Sequence, residues 1–114
     1  MLSASRRLRR SEDFRLVMRT GAKAGTRTAV VYLAKTGDAN SMTGFAVSRA
    51  VGGAVIRNRV TRRLRAIMAD ELKQLPHGSL VVLRALPAAA TVGFEDLKAD
   101  VASGLRRALA KADA

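Results

Sequence analysis

Residues 49–65 (RAVGGAVIRNRVTRRLR) hold six arginines and no acid. Guanidinium is a planar fork of donors that fits phosphate oxygens two at a time, so this density of arginine is suited to binding a polyanion. From Arg57 onward, Val60, Leu64, Ile67, Met68, Leu72 and Leu75 recur at the i, i+3/i+4, i+7 spacing of one buried helix face. At about 100° per residue, Arg59, Arg62, Arg63 and Arg65 fall off that stripe and are expected to face solvent. A merely solvated helix face usually mixes signs, yet no carboxylate appears here before Asp70. Five arginines within residues 57–65 repel one another until an anion neutralises them. Arg49, ahead of the pair Gly52 and Gly53, extends the same positive stretch.

No other residue set in the sequence advertises chemistry of its own. There is one histidine, His77, held between Pro76 and Gly78 in a turn, and no cysteine. Neither a nucleophile–base pair nor a usual zinc site can be assembled from that inventory. The nine carboxylates fall mainly in adjacent couples, Glu12-Asp13, Asp70-Glu71 and Glu95-Asp96, and neighbours on a helix diverge by about 100°. No P-loop or dinucleotide-binding glycine motif occurs. Any reaction this chain serves is expected to draw its reacting groups from a partner.

The bulk properties agree. The chain has 114 residues, enough for one domain with a single core. A net charge of +12 and a pI near 11.7 match the electrostatic footprint of a nucleic-acid binder. The absence of cysteine excludes disulfides and thiolate metal sites. No apolar run approaches the roughly 18 residues a membrane span needs, and the N-terminus has arginines without the apolar stretch of a secretory signal. The cytoplasm is the simplest compartment. Attachment to a membrane surface through the basic helix ranks low, because its apolar side has no aromatic residue.

The elements that must position the arginines can be read in order. Residues 1–10 form a basic arm with Arg6, Arg7, Arg9 and Arg10 and little to bury; residues 11–114 form the domain. Ser11 is placed as an N-cap before Glu12 and Asp13, with Phe14, Val17 and Met18 as an apolar stripe and Gly21 as a C-terminal stop. Residues 28–35 (TAVVYLAK) and 44–49 (GFAVSR) read as strands. Joined across Gly37, Asp38, Ala39 and Asn40, they are expected to pair as an antiparallel hairpin. The basic helix starts between Gly53 and Asn58 and ends near Leu75, before Pro76 and Gly78. Residues 79–86 (SLVVLRAL) are apolar enough for a central strand. Phe94, Leu97, Val101, Leu105 and Leu109 mark the last helix, capped near Thr91 or Gly93. A third strand in the early meander gives the order α-β-β-β-α-β-α, an α+β fold in which helices cover a sheet as a two-layer α-β sandwich.

Only four aromatics occur, Phe14, Tyr32, Phe45 and Phe94, and in most small domains they would be core. Phe14 and Tyr32 could instead share a groove beside the arginine helix, because single-strand binding uses ring faces. The run Val51-Gly52-Gly53-Ala54-Val55-Ile56-Arg57-Asn58-Arg59-Val60, followed by Arg62 and Arg65, resembles the Arg-Asn-Arg signature of the bacterial ribonuclease P protein family. The opening Leu8-Arg9-Arg10-Ser11-Glu12-Asp13-Phe14 resembles that family's start. The placement of Gly21, Tyr32, the strand around Phe45 to Ser48 and Arg84 is similar too, so the likeness spans about residues 8–110.

The resemblance implies an α-β sandwich with a left-handed βαβ crossover, of the type seen in the second domain of ribosomal protein S5. It implies a protein subunit that binds a catalytic RNA and the 5′ leader of precursor tRNA, in an endonuclease whose phosphodiester hydrolysis is carried by RNA with magnesium. Carried over, Arg49, Arg57, Asn58, Arg59, Arg62, Arg63 and Arg65 form the RNA-binding set. Phe14, Met18, Tyr32 and Arg84 line the leader cleft, between the first helix and the sheet. No cofactor is implied for the protein alone and no protein partner is required. The chain departs from the family pattern at Met18 and Ala29, where aromatics are usual, and at Ala50, Gly53 and Thr61, where lysine, asparagine and lysine are usual. The rival class is a small basic ribosomal or nucleic-acid-packaging protein with no part in cleavage; fold class does not separate the two.

Overall fold

The computed structural model describes residues 6–8, 10–36 and 40–113. Its elements run α1 (Ser11–Thr20), β1 (Ala22–Gly25), β2 (Ala29–Lys35), β3 (Met42–Ala46), α2 (Ala54–Glu71), β4 (Ser79–Ala85) and α3 (Phe94–Asp113). Short 3-10 turns, Leu72–Gln74 and Pro87–Ala90, follow α2 and β4. The order is the α-β-β-β-α-β-α expected from sequence, and the class is α+β. Among the described residues no helix is long and apolar enough to cross a membrane.

The expected hairpin between the second and third strands does not form. The four strands lie in the order β1-β2-β4-β3, so β4 enters between β2 and β3. It pairs antiparallel with β2 from Ala29↔Ala85 to Lys35↔Ser79, and parallel with β3 from Met42↔Leu80 to Ala46↔Arg84. The reason is burial. Val81, Val82 and Leu83 are all fully buried, and a run that is apolar on both faces is stable only in the middle of a covered sheet. Of the proposed turn, Gly37, Asp38 and Ala39 lie outside the described residues. The strand placed at 44–49 instead spans Met42–Ala46. Beyond it the backbone turns, with the Val51 and Gly52 N–H groups donating to the Ser48 and Arg49 carbonyls.

Each sheet face has its own core. Val31, Leu33, Val81 and Leu83 face Val60, Leu64, Ile67 and Met68 of α2 and Leu97, Val101 and Leu105 of α3. The alternate residues Val30, Tyr32 and Val82 face the opposite way, toward α1, and gather Leu8, Val17, Phe14 and Met18. Of two local expectations at α1, the Ser11 cap is corrected and the stop holds, with Gly21 as the C-cap. The N-cap is Arg10, whose carbonyl accepts the Asp13 and Phe14 N–H groups at 3.1 Å, and no side chain caps this end. Gly21 has an extended backbone (φ −74°) rather than a left-handed one. It is glycine because a Cβ there would sit 2.5 Å from the Val17 carbonyl oxygen and 3.0 Å from the backbone of Leu33.

The sheet's two edges are both occupied. The Leu8 N–H donates to the Thr43 carbonyl at 2.7 Å and Arg7 bridges Thr43, so the end of the arm lies along β3 with Leu8 buried. The rest of the arm, residues 1–5 and Arg9, lies outside the described residues. At the β1 edge, Arg107 and Lys111 of α3 donate to the Gly25 and Lys23 carbonyls, each at 2.6 Å. Cations placed against a free strand edge block pairing with another chain.

Candidate nucleic-acid interface

Helix α2 begins at Ala54 behind Gly53, with no side-chain cap and no acid in its first turn. Its N-terminal N–H groups and dipole therefore add to the positive potential of the arginines that follow. No α2 guanidinium is ion-paired with a carboxylate among the described residues, where the ion pairs are Arg10–Glu12 and Lys35–Asp113. The positive field is thus not cancelled within the fold.

The structure divides the arginine set that sequence grouped together. Asn58, Thr61, Arg62, Arg65, Ala66 and Ala69 run along one stripe of α2, at steps of three and four residues. With Arg7 from the arm and Asp70 at the far end, they line a cavity of about 680 Å³. Arg62 and Asn58 are exposed, and Arg65 is half-buried. Arg59 and Arg63 lie about 100–140° further round the helix, at about 100° per residue from Asn58. Their guanidinium groups donate to the carbonyls of Ala90 (2.9 Å) and Val92 (3.2 Å). The expectation that all four outer arginines face solvent is corrected for these two. Arg57 is half-buried on the first turn, and Arg49 is exposed in the preceding turn; neither lines the cavity. The Nε atoms of Arg57, Arg59 and Arg65 are buried without a hydrogen-bond partner, as expected where an arginine stem lies along the protein and only its head reaches out.

The α1 side of the sheet carries the second candidate region. Strand register sets Tyr32, Val82 and Gly44 in one row, with Lys23 of β1 at its end. Val30, Arg84 and Ala46 form the next row. Phe14 from α1 stands with its ring tip on Gly44, where a Cβ would collide with Cζ, Cε1 and Cε2. Gly44 is what lets the half-buried ring settle onto the sheet.

Phe14, Met18 and Tyr32 do meet in one cluster, but their roles differ. Tyr32 is 5% exposed, so it forms the packed floor and offers no open ring face for stacking, while the Lys23 ammonium lies 5.8 Å from its ring centroid. Phe14 and Met18 are half-buried at the wall. Arg84 is exposed and borders a cavity of about 550 Å³ with Ala46, Val47, Ser48, Leu86 and Pro87. The region thus combines apolar walls with cations at Arg84 and Lys23, which suits a single-stranded polyanion.

Two contributors were absent from the sequence-derived site. Arg7 was noted only as part of a basic arm, and its place opposite α2 depends on the bridge to Thr43. Lys23 joins the α1 face through the β1–β2 register. Neither carries a local signal.

Comparison with known proteins gives the family and the fold. The family model described as Ribonuclease P matches residues 2–109. The ribonuclease P protein component of Streptomyces griseus is 45% identical over 119 residues, covering 96% of both chains. That of Acidothermus cellulolyticus is 48% identical over 102 residues, covering 88% of this chain and 85% of its own. Among solved structures, the RNase P protein from Thermotoga maritima is similar with a TM-score of 0.78 at 28% identity, over 89% of this chain and 96% of that one. With an uncancelled arginine helix, the expected element order and a match across nearly its whole length, the chain belongs to the ribonuclease P protein family.

Proposed function

We propose that this chain is the protein subunit of ribonuclease P, binding the catalytic RNA along α2 and the 5′ leader of precursor tRNA in the cleft beneath α1. The observation that carries the reading is the groove in which Asn58, Arg62 and Arg65 converge with Arg7, without any carboxylate pairing the α2 guanidiniums among the described residues. Arg49, Arg57, Arg59 and Arg63 add to its field. Phosphate oxygens of a folded RNA supply the acceptors these forks match. In the cleft, Phe14 and Met18 contact bases of the leader, Tyr32 supports them from the floor, and Arg84 takes a phosphate.

The chemical step belongs to the RNA. Among the described residues no group of three or more His, Cys, Asp or Glu side chains could hold a metal ion, and no step is assigned to a protein-bound ion. The protein binds leader and catalytic RNA side by side, which raises the local concentration of precursor at the cleavage site. It also offsets phosphate repulsion that magnesium would otherwise have to screen. Neutralising about 6–10 phosphates would make affinity fall roughly 10³–10⁵-fold between 50 and 200 mM salt. The setting is the cytoplasm, with no further protein required.

The test is reconstitution. Added to its cognate RNA at a magnesium concentration too low for RNA alone, the chain should restore cleavage of precursor tRNA at the mature 5′ end. Binding without rescue would refute the proposal and favour a packaging protein.

A further inference from the structure

We propose that Arg59 and Arg63 are positioning residues that fasten α2 to the connection between β4 and α3, and that the phosphate-contacting stripe of this helix is Asn58, Arg62 and Arg65. The inference rests on the RNA-binding reading above and divides the arginines that reading treats together. Arg59 and Arg63 are one helical turn apart and donate to carbonyls two residues apart, Ala90 and Val92. Two parallel bonds of this kind act as a double stitch along one flank of the helix.

The segment they hold is itself anchored. Ala89 is fully buried, and Ala90 and Val92 pack against the core shared by α2 and α3. Backbone bonds Ala89 N–H to Leu86 O (2.9 Å) and Val92 N–H to Ala88 O (3.3 Å) close the turn. A guanidinium committed to such a carbonyl, with its Nε buried as in Arg59, has its plane fixed against protein. The stitch therefore sets how far α2 is rolled about its own axis. That roll decides whether Arg62 and Arg65 meet Arg7 across the groove. Arg63, the second donor on this flank, thus has a role other than added charge.

The test compares Arg59→Ala and Arg63→Ala with Arg62→Ala, using the full-length protein and its cognate catalytic RNA. Affinity is measured from 50 to 200 mM salt, and backbone hydrogen exchange is followed at residues 88–93. Loss of one phosphate contact reduces the slope of log affinity against log salt by about 0.7–0.9, which is about a threefold change across that salt range. Arg62→Ala should show this reduction and leave exchange at 88–93 unchanged. Arg59→Ala should lower affinity by the same factor at every salt concentration, keep the slope, and speed exchange at 88–93. A slope reduced in Arg59→Ala as in Arg62→Ala would overturn the proposal, and so would an unchanged exchange rate at 88–93. Should Arg59→Ala fail to fold, Arg63→Ala, which removes a single 3.2 Å bond, gives the same reading. A slope unmoved by Arg62→Ala would refute the RNA-binding reading itself, and this division of roles with it.

Discussion

Adding one methyl group at Gly44 should disturb the proposed leader cleft through Phe14. An ideal Cβ at position 44 would stand 2.8 and 2.9 Å from Cε1 and Cε2 of the ring, with Cζ nearer still. Carbon atoms prefer about 3.5–4.0 Å, so the ring must retreat by roughly 1 Å. Overpacking of this size costs about 1–3 kcal/mol. Replacing glycine inside a strand by alanine returns about 0.5–1 kcal/mol. Gly44→Ala should therefore destabilise by about 0–2.5 kcal/mol, lowering Tm by roughly 3–6 °C per kcal/mol in a domain of this size. In a Phe14→Ala background no ring remains to be met, and the same change should be neutral or slightly stabilising. Urea or thermal unfolding of the four proteins gives the coupling, expected at about 1–3 kcal/mol. An equal cost for Gly44→Ala with and without Phe14 would show that the ring does not rest on this strand, and the cleft geometry would be wrong.

Further outcomes follow from the same contacts. Phe14→Ala should weaken binding of precursor tRNA more than that of mature tRNA, measured as the ratio of the two affinities; an equal loss would remove Phe14 from the leader cleft. The fully buried Thr28 hydroxyl donates to Asp100 Oδ2 at 2.7 Å, tying the β1–β2 connection to α3. Thr28→Val should cost about 1–3 kcal/mol in urea unfolding, and a change below 0.5 kcal/mol would show that solvent replaces this bond (about the noise of a surface substitution). Joint replacement of Arg107 and Lys111 by alanine should expose the β1 edge and produce self-association in analytical ultracentrifugation. A double variant that stays monomeric at the same concentrations would show that the edge is protected by other means.

Much of the fold could be read in advance because it rests on strong local patterns. Val60, Leu64, Ile67 and Met68 lie on the buried face that their spacing indicated. The apolar run through Val81 to Leu83 is central as its composition required. The misplaced hairpin has a simple cause: sequence adjacency favours pairing β2 with β3, while the stronger demand for burial of β4 acts over a distance no local pattern records. At the ends of α1, the turn residues matched familiar signals, but Arg10 supplies the cap and Gly21 is needed for close approach rather than for a left-handed turn.

The site was readable as charge, not as geometry. The uncancelled arginines of α2 were evident from the absence of acids around them. Their separation into a groove stripe and a stitched flank depends on where residues 7 and 90–92 come to rest. Tyr32 was assigned correctly to the same neighbourhood as Phe14, but its depth, which rules out an open stacking face, is a consequence of α1 lying over it.

The most direct test of the central claim uses the absence of cysteine in this chain. A single cysteine at exposed Ala66, on the groove stripe, can carry a hydroxyl-radical probe, with Ala99 on the exposed face of α3 as the control site. In the complex with catalytic RNA, the probe at 66 should cut the RNA backbone at a few discrete positions while the probe at 99 leaves it intact. Strong cutting from 99 with none from 66 would place the RNA elsewhere on the protein and contradict the account.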